Sequence, residues 1–499
     1  MLWTVPVRFG AHRVLVALAF ALAWGFGAAP ALPADFDLVL VGGRVIDPES
    51  GLDAIRNVGI TNGRIAAVST ADLNGAERLD VSGLVVAPGF IDLHAHGQSV
   101  KANRYQARDG VTTALDLEGG FFPVEAYYER RKDRALLNYG VSVSHHLVRQ
   151  TIWPIAKFGD KWAYQEASPA QMARILALFT EGLAAGGIGA GLALEYTPGV
   201  GYDEVYEIFR LMAARHAPVT VHVRRARGTR VAAHANIAAI EEVLADAVGT
   251  GATLHIVHIT SSAVGDTDIA LSLIAGARRL GIPVTTEVYP YTAGSTNLGS
   301  AAFDQGWQKR LGMSYGDLQW AATGERLTRR TFEKYRSSSA AHGGADVIAH
   351  FIPKSAMRRA LADPMVQIAS DGLMWKTGGE HPRGAGTFAR VLGRYAREEK
   401  LLGLDLAIAK MTLMPAQRLA PFVPAMARKG RIKVGADADI TVFDAEHVID
   451  RATYEKPMQF STGIKHVLVG GVFIVRDQRL VDGVLPGQPI RMSGLAAAD

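Results

Sequence analysis

Val85-Val-Ala-Pro-Gly-Phe-Ile-Asp-Leu-His-Ala-His96 is an apolar run that ends in two histidines two residues apart. Alternate side chains of an extended chain share a face, so His94 and His96 point the same way. Further strand-like runs follow at Thr112 to Glu118, Val141 to His146, Ala190 to Tyr196, Val219 to Arg224, Thr253 to Ile259, Val284 to Tyr291 and Val366 to Asp371. Helix-length amphipathic stretches lie between them, among them Val124 to Asn138, Pro169 to Ala185, Asp203 to Arg215, Ile237 to Ala247 and Thr387 to Glu399. With Val85 to His96 counted as the first strand, eight strand and helix units predict an α/β chain folded as a (β/α)8 TIM-type barrel. A doubly wound open sheet is the alternative architecture. In a barrel, the paired imidazoles converge at the C-terminal mouth, where barrel enzymes carry their chemistry.

Working outward, residues 35–84 and 430–499 are both rich in short strands, with Asn62-Gly63 at a tight hairpin turn. Two marginal ribbons at the chain ends are expected to combine into one small β-sandwich domain. The barrel is expected over residues 85–429. The stretch from Thr292 to Ala345 is too long for an ordinary connection and predicts a lid or insertion, with a short extra strand near Val347 to Phe351.

Residues 1–34 carry Arg8 and Arg13, an apolar run from Val14 to Phe26, and then Gly-Ala-Ala-Pro-Ala-Leu-Pro-Ala. That order predicts a secretory signal peptide, cleaved after Ala31 or Ala34, and a periplasmic or secreted protein with no membrane anchor after cleavage. The run is shorter than the roughly 20 residues that span a bilayer. Lysine and arginine exceed aspartate and glutamate by five, an excess that falls to three without Arg8 and Arg13, so nucleic acid is a poor partner. There is no cysteine, which excludes disulfides, thiol catalysis and thiolate metal sites.

Further metal-type donors sit at the ends of other strands. His222 and Arg224 share a face of the fifth strand. His255 and His258, three apart, should face opposite ways, so at most one looks inward, and His258 is nearer the mouth. Asp371 closes the eighth strand. Four histidines and an aspartate exceed the roughly three protein ligands of one catalytic zinc, so one or two Zn(2+) ions per subunit are expected. A bridging carboxylate is then wanted, with Glu118 the candidate and Asp116 and Glu195 its competitors. Tyr196, Tyr289 or Tyr291 is placed to bind an oxyanion, and Arg224 a substrate carboxylate. His145 and His381 read as supporting or loop histidines.

At these residues the chain resembles the amidohydrolase superfamily and, within it, the D-aminoacylase (N-acyl-D-amino-acid deacylase) family, over nearly all of the expected mature chain. Besides Pro88 to His96, the resemblance rests on Gly110-Val-Thr-Thr, Tyr196-Thr-Pro-Gly, Glu287-Val-Tyr-Pro-Tyr-Thr-Ala-Gly-Ser-Thr and Ser370-Asp-Gly. The most specific stretches are His381-Pro-Arg-Gly-Ala-Gly-Thr-Phe-Ala-Arg and Lys410-Met-Thr-Leu-Met-Pro-Ala-Gln-Arg. The resemblance implies metal ligation by His94, His96, His222, His258 and Asp371, proton transfer by Asp371, and small-molecule N-acyl amino acids as substrates. Two positions depart from it. The family's bridging cysteine after Gly-Val-Thr-Thr is absent, with Glu118 one place from its position, and the family's lysine two residues after the sixth-strand histidine is Thr260.

The expected reaction is hydrolysis of a linear amide by a metal-bound hydroxide, since a bound metal lowers the pKa of water from 15.7 to about 7, with Asp371 as general acid and base. A cyclic-amide or dipeptide hydrolase is the alternative enzyme. A non-catalytic metal-dependent binding protein is the alternative outside enzymes.

Overall fold

The computed structural model describes residues 35–96, 98–224, 234–339, 347–372 and 380–493. The expected signal peptide lies outside the described residues. Eight strands form one parallel sheet: β1 (Phe90–Asp92), β2 (Val111–Phe121), β3 (Asn138–Ser144), β4 (Ala190–Ala193), β5 (Val219–His222), β6 (Leu254–Ile256), β7 (Val284–Val288) and β8 (Val366–Ile368). Each pairs with its sequence neighbour, as short right-handed crossovers dictate. The seam between β8 and β1 is closed beyond the strand ends, where Ala95 bridges Gly372 and the His96 N–H donates to the Gly372 carbonyl at 2.9 Å. The result is the expected TIM-type barrel.

The run from Val85 to His96, read as one strand, is two strands in two sheets. Val85–Pro88 pairs with Ile440–Phe443 and with Arg44 and Val45 in the sheet built from the chain ends, and β1 begins only at Phe90. Proline and glycine explain the break. Pro88 has no N–H to give to a ladder, and a Cβ at Gly89 would lie 2.2 Å from Thr112 Oγ1, so only glycine lets the chain pass so close to β2 at the change of sheet.

The terminal strands form a single nine-stranded sheet, joined across the chain ends by the pairing of Val85–Pro88 with Ile440–Phe443. The sheet curls over its own apolar core of Leu40, Val58, Ile65, Val86, Ile440 and Leu468. Its far edge returns to meet Arg64 and Asp437, and the Ala438 N–H donates to the Gly63 carbonyl at 2.8 Å. Curling is how one sheet achieves the two-layered burial expected of a sandwich.

Between β7 and β8, the strands Gly294–Thr296, Leu318–Trp320 and Val347–Ala349 form an antiparallel sheet. It packs on Phe303, Trp307 and Phe332 around a small core of its own. The extra strand near Val347 therefore belongs to this insertion, and the barrel count stays at eight. Several expected elements are shorter than their apolar runs. The fourth strand stops at Ala193 and turns through a 3-10 segment, Leu194–Tyr196, and the helix expected over 124–138 ends at Arg131. The helix expected over 387–399 begins earlier, at Arg383, and passes into a π-helix over Val391–Glu398. No helix among the described residues is long and apolar enough to cross a membrane.

Candidate metal centre

His94 and His96 follow β1 at the C-terminal mouth, and each ring is held from behind by a carboxylate. His94 Nδ1 lies 2.5 Å from Glu287 Oε1, and His96 Nδ1 lies 3.1 Å from Asp116 Oδ1. A carboxylate accepts only from an N–H, so both Nδ1 atoms carry a proton, and Nε2 is the atom each ring offers to a cation. Those two Nε2 atoms face each other at 2.9 Å. A divalent cation bound there would be met by both rings. Around them, Glu118 Oε2 is 3.3 Å from His96 Nε2, and Asp371 Oδ1 is 3.4 Å from His94 Nε2 and 3.6 Å from His96 Nε2. This donor set of imidazoles and carboxylates suits a divalent metal such as zinc.

Three overlapping groups could hold an ion: His94 with His258 and Asp371, His94 with His96 and Glu118, and Glu118 with His222 and His258. His94 and Glu118 belong to two groups each, so the donors form one continuous cluster. Glu118 Oε1 accepts from His222 Nδ1 at 3.1 Å. Burial alone would raise the Glu118 carboxyl, but the His222 hydrogen bond and the nearby His96 hold it below the usual carboxylate range. Asp116 also accepts from the Gly119 and Gly120 N–H groups, behind His96 and away from the cluster. Glu195 is buried in its 3-10 turn and is in none of the three groups.

His258 corrects the expectation that only one histidine of the sixth strand looks inward. His255 does so from within β6, with Nε2 3.0 Å from Glu287 Oε2. His258 lies two residues past the strand end in a left-handed conformation, φ 30°, so strand alternation no longer fixes its direction. Its ring stands 4.5 Å from that of His222 and 5.4 Å from that of His94, and its Nδ1 donates to Ser261 Oγ at 2.8 Å, while that hydroxyl donates to the His258 carbonyl. Burial, then the neighbouring His222, lowers its pKa well below the ordinary value, leaving a neutral ring. Asp371 likewise sits past the end of β8 at φ 48°.

Arg224 is engaged elsewhere, with Nη2 2.9 Å from Glu242 Oε1, Nη1 donating to the Val200 carbonyl, and the Tyr202 ring below. The arginine at the centre is one that residue spacing does not single out. Arg383 is 1% exposed, with Nη1 2.9 Å from Asp371 Oδ2 and its guanidinium over the Tyr289 ring. It starts a helix in the string beginning His381-Pro-Arg-Gly, and its N–H donates to His381 Nδ1 while His381 Nε2 donates to the Ala293 carbonyl. The tyrosines divide. Tyr196 stands edge-on to His222 and accepts from Thr296 of the insertion. Tyr289 faces His258, and Tyr291 turns away to the Pro382 carbonyl and Arg390. His145 is bound to Glu204 at 2.7 Å, beside Arg149.

Residues 123–475 match the amidohydrolase family. An N-acyl-D-glutamate deacylase of Alcaligenes xylosoxydans xylosoxydans is 33% identical over 486 residues, covering 87% of this chain and 93% of that protein. A D-aminoacylase of the same organism is 29% identical over 490 residues, covering 89% and 95%. The crystal structure of N-acyl-D-glutamate deacylase from Bordetella bronchiseptica, complexed with zinc and a phosphonate that mimics the reaction's tetrahedral intermediate, aligns with a TM-score of 0.77 at 26% identity, over 91% of this chain and 99% of that one. With the barrel, the histidines at its mouth and a match of this extent all in agreement, the chain belongs to the amidohydrolase family.

Proposed function

We propose that the protein is a zinc-dependent deacylase that hydrolyses the linear amide bond of N-acyl-D-amino acids. The observation that carries the reading is the convergence of His94 Nε2 and His96 Nε2 at the barrel mouth, ringed by Glu118 and Asp371. His94, His96, His222, His258 and Asp371 would hold one or two metal ions, with Glu118 as a further carboxylate donor. When bound, the metal polarises the scissile carbonyl and makes water a nucleophile near neutral pH.

The protein's own groups do the rest. Asp371 takes a proton from the attacking water at Oδ1 and passes it to the departing amide nitrogen, a cycle worth roughly 10² to 10⁴ in rate. Arg383 orients Asp371 through Oδ2. Its Nε has no hydrogen-bond partner among the described residues, so Arg383 rather than Arg224 can also meet the substrate carboxylate with its fork of donors. Tyr289 beside His258 and Tyr196 beside His222 are the candidate hydrogen-bond donors to the oxyanion. The test is a panel of paired N-acyl-D- and N-acyl-L-amino acids set beside hydantoins and dipeptides, with metal content measured. Turnover of the cyclic amides or dipeptides alone, or of nothing, would overturn the reading.

We also propose that the protein is exported to the periplasm or beyond. The basic, apolar and small-residue order of residues 1–34 supports this. N-terminal sequencing of exported material should begin at Leu32 or Asp35, and a start at Met1 would count against it.

A further inference from the structure

Beneath the metal cluster lies a second polar layer, built from residues outside the expected site and joined to it through His94. Glu287, on β7, is 1% exposed and touches two imidazoles from different strands: Oε1 lies 2.5 Å from His94 Nδ1 and Oε2 lies 3.0 Å from His255 Nε2. His255 is also 1% exposed, and its Nδ1 lies 2.8 Å from Thr285 Oγ1. The directions of these bonds follow from chemistry. A carboxylate only accepts, so both imidazoles donate to Glu287, and His255 Nδ1 is left to accept the Thr285 hydroxyl. Every hydrogen bond in the row thus runs toward one buried carboxylate.

A lone buried carboxylate is costly, whereas one that receives two imidazole N–H groups is not. A cation also balances it. Arg418, from the helix Leu413–Leu419, is buried, its nitrogens have no hydrogen-bond partner among the described residues, and it acts electrostatically on Glu287. The row therefore has a fixed charge, fixed proton positions and three strands' worth of anchorage. It needs none of this to support the barrel, whose other interior positions include plain apolar contacts. What it fixes is the direction of one ring nitrogen, His94 Nε2.

We propose that Glu287 is the positioning residue of His94, and that His255 and Thr285 hold Glu287 in place from below, so that the row sets the metal affinity of the cluster. The proposal rests on the reading of His94 as a metal ligand. Partners that orient a ligating histidine are typically worth about 10- to 100-fold in metal affinity.

The test is zinc binding to metal-free full-length protein, measured by competition with a chelating dye, together with thermal unfolding of the same metal-free samples. Glu287→Gln keeps the shape but offers one acceptor and a donor where two donors point. It should bind zinc roughly 10- to 100-fold more weakly while melting like the wild type. The absorption spectrum of the cobalt-loaded variant should shift, because the geometry around His94 changes. His255→Gln, which keeps one N–H toward Glu287 but loses the anchor to Thr285, should weaken zinc by a smaller factor, and it serves if Glu287→Gln does not fold. His94→Asn is the control for the underlying reading. Weak zinc binding in His94→Asn with wild-type affinity in Glu287→Gln, or in His255→Gln if that alone folds, would overturn the positioning role alone. Wild-type affinity in His94→Asn would overturn the metal reading and the positioning role together. A lowered melting temperature with unchanged zinc affinity would assign the row to the fold and overturn the proposal.

Discussion

Asp371 and Arg383 meet edge to edge, with Oδ2 of the acid 2.9 Å from Nη1 of the base, while the other carboxylate oxygen, Oδ1, faces the imidazoles of His94 and His96 at 3.4 and 3.6 Å. One side chain thus spans the cation-binding cluster and a buried guanidinium, and its two oxygens serve different neighbours.

Replacing Asp371 by Asn should lower kcat by about 10² to 10⁴ without unfolding the protein, since the amide fits the same space. Steady-state kinetics on an N-acyl-D-amino acid, with circular dichroism of the same sample, checks this. Full turnover in the variant would remove Asp371 from proton transfer.

The two arginines separate in a direct comparison. Arg383→Lys keeps the charge but loses the planar fork, which is not a conservative change at a paired site, and kcat/KM should fall by about tenfold or more. Arg224→Met instead breaks an ion pair with Glu242 and should act mainly through stability. Equal kinetic losses in both would return Arg224 to the substrate.

Dialysis against a chelator should abolish hydrolysis, and added zinc should restore it. Glu118→Ala should then bind less metal per chain than the wild type, measured by elemental analysis, because Glu118 belongs to two of the three donor groups. An unchanged metal content would leave it a mere neighbour of His222.

Lys410 gives a pH test far from the metal cluster. Burial lowers its pKa from 10.5 to about 7, against an opposing pull from Asp363, and its Nζ donates to the Leu361 and Asp363 carbonyls at 2.6 Å each. Between these two values the unfolded chain binds the proton and the folded chain does not. Stability should therefore be full above pH 10.5 and decline as the pH falls toward 7, by at most about 1.4 kcal/mol per pH unit. Lys410→Met should remove that slope, as read from urea midpoints at pH 7.5, 8.5 and 9.5. Parallel slopes in the two proteins would show that Lys410 stays charged in the fold.

The barrel was legible in the sequence because each of its strands is a short apolar run with a helix after it. Val85 to Pro88 was misread for the same reason: an apolar run shows that a strand is buried but not in which sheet, and only the pairing with Ile440–Phe443 decides that. Alternation failed at His258, where the left-handed backbone past the strand end resets the direction of the side chain. Arg383 and Glu287 were in view within family-like strings, but neither has a local pattern that reveals its role. Glu287 looks like an ordinary strand residue until His94, 193 positions earlier, is brought against it. Arg224 drew the substrate role because Thr260 stands where the family has a lysine and Arg224 shares a strand face with His222, whereas its partner Glu242 is on the following helix.

Gly89 separates Val85–Pro88, an interior strand of the curled outer sheet, from the first strand of the cylinder. His94 and His96 are thus moored, a few residues downstream, to both bodies at once. An engineer who trimmed away either chain end as a dispensable ornament would unmoor the barrel mouth, since the ornament is the bracket to which the first barrel strand is bolted.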